Sequence, residues 1–219
     1  NSLYKSNQFA QAASSYEKII MQGYRTPEVY YNLGNCYYKL NNTGKAILNL
    51  ERAQKLAPSD EDIAHNLKLA QLKTVDRIQP VPKLSIIQDW KNFTSAQSSK
   101  VWGIFALAFI WMALVTFAIY LFAVRKNFVF VLGSLLLVFS VFSVSLAYKQ
   151  SNWENNSDEA ILLVQNVNVK SAPDANGTDI FAIHEGIKFQ ILDDVNGWNK
   201  IRLADGKVGW IEKNLSEKI

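Results

Sequence analysis

Few residues in this 219-residue chain have types and spacings suited to catalysis or metal binding. The one cysteine, Cys36, has no second thiol and no histidine at ligand spacing, which excludes an intramolecular disulfide and a multi-thiolate metal site. Cys36 is therefore expected to be a small buried residue. The two histidines, His65 and His184, leave little for zinc or acid–base chemistry, and His184 is expected on a surface or strand edge without a partner motif. Asp193 and Asp194 are adjacent, but they precede a turn with no second carboxylate in fixed register, so neither acid–base catalysis nor calcium binding is supported. With no nucleophile elbow, phosphate loop, metal-ligand cluster or Cys/His pairing, the chain is expected to be no enzyme and to hold no cofactor.

The elements that carry the remaining residues fall into three blocks. Residues 1–100 hold 13 Lys/Arg against 8 Asp/Glu, residues 101–148 hold only Arg125 and Lys126, and residues 149–219 hold 8 against 11. The near-neutral mean hydropathy of −0.03 thus averages two polar blocks with one almost free of charge. Six Trp, nine Tyr and twelve Phe are too many for a solvated coil. The net charge of +4 comes without a basic stripe, so no nucleic-acid partner is expected.

From Val101 to Val124 no ionisable Asp, Glu, Lys, Arg or His occurs, and the same holds from Asn127 to Tyr148. At 1.5 Å per residue each run is long enough for a hydrocarbon core of about 30 Å, and neither has a polar face at helical spacing. Residues 101–124 and 127–148 are therefore read as transmembrane helices in a tight hairpin, with both flanking segments on one side. Trp102, Tyr120 and Tyr148 suit the headgroup zone. Gly103, Ala106 and Ala113, with Gly133, Ser140 and Ser143, are small enough for close packing between the two. Arg125 and Lys126 in the shortest loop favour a cytoplasmic turn, which puts both flanking domains outside the cytoplasm. Exporting the first hundred residues requires a signal sequence ahead of Asn1.

The first block repeats itself. Tyr4-Lys5-Ser6-Asn7 returns as Tyr38-Lys39-Leu40-Asn41 at a spacing of 34, and Ala12, Tyr16 and Glu17 return as Ala46, Leu50 and Glu51. The second copy carries Tyr30-x2-Leu33-Gly34-x2-Tyr37, then Ala46-x3-Leu50, Ala53 and Pro58. This pattern resembles the tetratricopeptide repeat, with residues 1–75 as an all-α repeat domain truncated at its N-terminus. A third helix, capped by Ser59-Asp60-Glu61-Asp62, is expected through Ile63, Leu67, Leu69 and Leu72. The resemblance implies a concave groove lined by Tyr31, Asn32, Asn35, Tyr38, Lys39, His65, Asn66 and Lys73. Lys39, Lys73 and the asparagines there suit a carboxylate or an extended peptide backbone.

Residues 76–100 read as a linker, broken by Pro80 and Pro82 and polar from Ser95 to Ser99, with Trp90 and Phe93 suited to a membrane surface. After Trp153 come short alternating runs, Ala160–Val164, Phe189–Leu192, Lys200–Leu203 and Val208–Ile211. The dipeptides Asn176-Gly177, Asn196-Gly197 and Asp205-Gly206 punctuate them. Such spacing predicts a small all-β barrel. The motifs Val167-Asn168-Val169-Lys170-Ser171-x-Pro173, Gly186, Gly197-Trp198 and Asp205-Gly206-x2-Gly209-Trp210 resemble the bacterial SH3 family over residues 159–219. Trp198 and Trp210 are candidates for an aromatic groove that takes extended peptides or cell-wall stems, or else they fill the core.

Repeats, a two-span hairpin and a terminal SH3-like barrel together resemble the BatE family of Bacteroidetes aerotolerance proteins. That resemblance implies an inner-membrane protein with periplasmic domains, partnered by other Bat proteins including von Willebrand A-type ones. The expected function is a non-enzymatic scaffold in the bacterial envelope that supports aerotolerance or stress resistance. The alternatives are a sensor or anchor that binds peptidoglycan stem peptides and, with both domains in the cytoplasm, an accessory subunit of a signalling or export complex.

Overall fold

The computed structural model describes residues 1–78, 89–90, 93–94, 96–122, 124, 126–155 and 158–219. Pro80, Pro82, Lys83, Lys91, Ser95 and Arg125 lie outside the described residues. Two compact units form, one from residues 1–84 with 157–219 and the other from residues 85–156.

The first unit begins with five helices: α1 (Ser2–Lys5), α2 (Phe9–Met21), α3 (Pro27–Lys39), α4 (Thr43–Leu56) and α5 (Glu61–Gln71). The 34-residue period is visible in the backbone. Asn7 and Asn41 both adopt a left-handed φ of 58°, which asparagine tolerates better than most residues. Each ends its helix with the same paired bonds, Gln8 N–H to Leu3 and Asn7 N–H to Tyr4, then Asn42 N–H to Tyr37 and Asn41 N–H to Tyr38. Pro27 opens α3, where its missing N–H costs nothing. Asn42 and Asp60 cap α4 and α5 by accepting from Lys45 N–H and from Asp62 and Ile63 N–H. A Cβ on Gly34 would stand 2.7 Å from Leu50 Cγ, so glycine sets how closely α3 approaches α4. Helix α5 buries Ile63, Leu67 and Ala70, while Leu69 and, just past its end, Leu72 are exposed.

The strands follow as β1 (Glu159–Leu162), β2 (Asn166–Lys170), β3 (Asp179–His184), β4 (Lys188–Val195), β5 (Trp198–Arg202), β6 (Val208–Glu212) and β7 (Ser216–Lys218). They pair antiparallel in the order β3-β2-β6-β5-β4-β1-β7. One core gathers Ala160, Leu162, Val169, Ile183, Phe189, Ile201 and Ile211 from β1 to β6, with Leu203 just past β5; β3 at one end of the order and β1 next to the other both enter it, which requires the sheet to curl around it. Asn196-Gly197, both at positive φ, turns β4 into β5, the conformation that a two-residue hairpin demands.

Residues 74–78 are not free linker. Ile78 packs against the sheet core, and Asp76 accepts from the His184 backbone N–H at 2.6 Å and meets His184 Nδ1 at 2.9 Å. His184, expected without a partner, has one because this segment returns to the open edge strand β3.

The second unit holds α6 (Ser99–Phe122) and α7 (Lys126–Asn155), an antiparallel pair. Both are long and apolar enough to cross a membrane. The first runs from residue 99 to 122 and the second from 126 to 155, against the expected 101–124 and 127–148, and Ser99 N–H and Oγ donate to the Glu154 carboxylate across the open end. Ala106, Ala113, Thr116, Ser140 and Ser143 are buried between the pair, and Ser140 Oγ donates to Ala106 O at 3.1 Å. Gly133 lies against Thr116, whereas Gly103, expected at the contact, has no neighbour within 4 Å of a Cβ and takes no part in it. Outward, Trp111, Phe117, Phe128 and Val141 are 63–69% exposed.

Candidate functional site

Helix α3 places Tyr31, Asn35 and Tyr38 on one face at spacings of four and three, with Asn32 and Lys39 beside them. Helix α5 brings Asn66 and Leu69 opposite, and α1 brings Tyr4. These eight residues line a cavity of about 450 Å³. Asn66 organises it, since its Nδ2 donates to the Tyr31 hydroxyl and to Asn35 Oδ1, each at 2.9 Å. Among the described residues, this leaves the Tyr31 hydroxyl hydrogen, the Asn35 amide hydrogens and the Asn66 carbonyl oxygen for a ligand. Donors and an acceptor side by side complement the N–H and C=O of an extended peptide.

Of the expected groove residues, Tyr31, Asn32, Asn35, Tyr38, Lys39 and Asn66 come together, and His65 and Lys73 do not line the cavity. His65 is exposed one position off the inward face of α5. Lys73 lies past the end of α5 and is committed elsewhere: its Nζ sits 3.9 Å over the Tyr38 ring and donates to Asn41 Oδ1 at 3.0 Å. Its ammonium braces the Tyr38 wall through neutral partners, and Lys39 is the one cation among the lining residues. Tyr4 and Leu69 were not singled out as lining residues. Tyr4 had a signal, being the counterpart of Tyr38 one period earlier, and Leu69 lies three residues after Asn66 on the same helix.

Behind the groove the chemistry is inert. Cys36 is fully buried, and burial pushes its thiol up to about 11. Burial also raises Tyr37, reinforced by its hydrogen bond to the Glu17 carboxylate, so the phenol stays protonated. Among the described residues no three His, Cys, Asp or Glu side chains converge as a metal site.

The second candidate surface lies on the sheet. Along β5 and β6, Asn199, Ile201, Gly209 and Ile211 point inward and are buried, so Trp198, Lys200, Arg202, Val208, Trp210 and Glu212 share the outer face. The register sets Trp198 opposite Glu212 and Lys200 opposite Trp210, which makes the two tryptophans diagonal neighbours. Both are half-buried, and neither belongs to the core. Lys200 Nζ lies 5.7 Å from the Trp210 ring centre, and Lys170 is paired with Trp210 across β2 and β6. Lys170 also holds Asp179 at 2.9 Å, a pairing that, with the Asn168 amide, keeps the Asp179 carboxyl below its usual range. Flat rings beside Lys200 and Arg202 suit a ligand with carboxylates and an apolar stem.

No curated protein matches the chain significantly. The family model of the tetratricopeptide repeat matches residues 27–60, the α3–α4 pair that carries most of the groove. That of the bacterial SH3 domain matches residues 165–216, from β2 to the start of β7. The chain therefore combines a tetratricopeptide repeat and a bacterial SH3 domain, two kinds of interaction module, with two helices apolar enough for a membrane.

Proposed function

We propose that this protein is a non-enzymatic, membrane-anchored adaptor of the bacterial envelope that holds an extended segment of a partner protein in its tetratricopeptide groove. The observation that carries this reading is the Asn66–Tyr31–Asn35 network, which fixes unspent donors and an acceptor along an open cavity. The neutral donors and the acceptor match an extended backbone, and Lys39 is the one cation among the residues that line the cavity. The outward aromatic and aliphatic side chains of α6 and α7 favour lipid as their surroundings. Because residues 1–84 and 157–219 share one unit, a hairpin between them leaves and re-enters a membrane on the same face. The bacterial SH3 domain favours the periplasm as that side, with the inner membrane as anchor.

The finer reading is a BatE-like role in aerotolerance or stress resistance, with von Willebrand A-type Bat proteins as partners. It rests on the order of modules. The test is affinity purification of the full chain from membranes, wild type beside Asn66→Ala. Envelope proteins that co-purify with the wild type and are lost with the variant support the adaptor, and equal recovery with both sinks the groove reading.

A second reading is favoured by the sheet face, where Trp198 and Trp210 lie beside Lys200 and Arg202: the SH3 domain binds peptidoglycan stem peptides. Retention on purified sacculi, lost on Trp198→Ala or Trp210→Ala, supports it.

A further inference from the structure

Strand β1 lies ahead of the segment that matches the SH3 domain, and it is buried on both of its faces. Ala160 and Leu162 enter the sheet core, while Ile161, pointing the other way, enters a helical cluster of Ile47, Leu48, Leu50, Leu67 and Ala70. Leu163 and Ile219 pack on the same cluster from the sheet side, and Tyr31 and Tyr38 pack on it from the groove side. One apolar cluster therefore lies between the groove wall and the SH3 domain.

Polar contacts fix the register around it. Glu185 Oε1 accepts from Gly44 N–H at 2.8 Å at the start of α4. A Cβ on Gly44 would stand 2.8 Å from Leu162 O, and one on Gly186, at a φ of +84°, would stand 2.9 Å from Ile47 Cδ1. Further along α4, Glu51 and Glu159 clasp Lys188 from either side at 2.9 Å each, and Arg52 pairs with Glu217 at 2.8 Å. Burial works to lower the Lys188 ammonium, but the two carboxylates outweigh it and hold it above its usual range. Lys55 donates to Ile219 O at 3.1 Å.

A repeat stack exposes the apolar face of its last helices unless a further unit covers it. Here α4 is buried on nearly every side, including Lys55 and Asn49. We propose that the SH3 domain serves as the terminal unit of the repeat stack, so that repeats and SH3 domain fold as one cooperative body and the groove wall keeps its shape only while β1 is docked. The two binding surfaces are then held at a fixed separation and read one partner, or two partners at a set distance. This arrangement holds whether the groove ligand is a protein segment or something else.

The test is hydrogen–deuterium exchange on the full chain in detergent micelles. Gly44→Val wedges the contact without altering either core. It is expected to raise exchange about tenfold in β1, in the 185–187 turn, and also across Tyr31–Tyr38 and α5. Arg52→Glu, which loses both the Glu217 pair and the bond to Lys218 O, is expected to do the same to a smaller degree, and Arg52→Glu with Glu217→Arg to restore part of the protection. A rise confined to residues around the substitution, with α5 and the groove helix unchanged, overturns the proposal. So does an Arg52→Glu effect confined to residues around position 52 with α5 and the groove helix unchanged, which covers the case in which Gly44→Val does not fold.

Discussion

The groove on the helices and the aromatic face on the sheet belong to one unit, yet they are built on opposite principles. The groove is shaped by hydrogen bonds between neutral side chains, Asn66 to Tyr31 and Asn35, with a single cation among its lining residues. The sheet face has rings beside charges, Trp210 under Lys200 and Trp198 opposite Glu212, aligned by the strand register. Directional bonds reward one ligand geometry and penalise others, because an unmatched polar group loses its hydration for nothing. Rings and ammonium groups tolerate variation in the ligand. The groove is thus suited to one partner segment, and the sheet face to a polymer of repeating stems.

The largest expected effect breaks this contrast on the sheet side. Replacing both Trp198 and Trp210 by alanine should lower retention of the full chain on sacculi by about 30-fold or more, the scale of aromatic anchors, while partner co-purification is unchanged. If sacculi retention survives, the face is not a wall-binding surface. Asn66→Ala should do the reverse, lowering partner recovery by about tenfold for the loss of two hydrogen bonds and leaving sacculi retention intact. A variant that lowers both equally would mean that the two surfaces do not act separately.

Smaller effects sharpen the picture. Asp76→Ala removes the acceptor for the His184 N–H and should cost about 1 kcal/mol, read as a drop of a few degrees in the melting temperature of the first unit. Retention on sacculi should not change. Cys36 should also resist maleimide in the folded chain, so its labelling reports unfolding and not membrane orientation. Its thiol, raised from near 9 to about 11, stays protonated in the folded state where the unfolded chain already ionises. That contribution is complete below pH 9 and is lost as pH rises through about 11, so a pH-stability curve should fall across that window. A Cys36→Ser variant should remove the part of the fall that begins near pH 9, leaving the part at higher pH that the raised Tyr37 contributes.

Much of this was legible in the residues. The 34-residue period located α3 and α4 and most of the groove, because one helical repeat fixes which side chains share a face. The dipeptide Asn196-Gly197 located the β4–β5 turn. What escaped was whatever depended on contact across sequence distance. Asp76 found His184 across 108 residues, and Lys73, whose type suggested a ligand contact, was drawn onto Tyr38 and Asn41. A continuous apolar run, Ala160 to Val164, did carry the mark of a strand buried on both faces. It did not say what would bury the second one.

The sequence by itself determined the kinds of element: an amphipathic repeat, two helices apolar on every side, and alternating strands broken by turn residues. Local periodicity decides these, since each depends on neighbours within a few positions. Only the tertiary structure decided that Ile161 would enter the helical cluster, that Gly44 and Gly186 would let backbone meet side chain there, and that groove and sheet would share one body. Such contacts join residues more than a hundred positions apart, and their geometry exists only once the whole unit has closed.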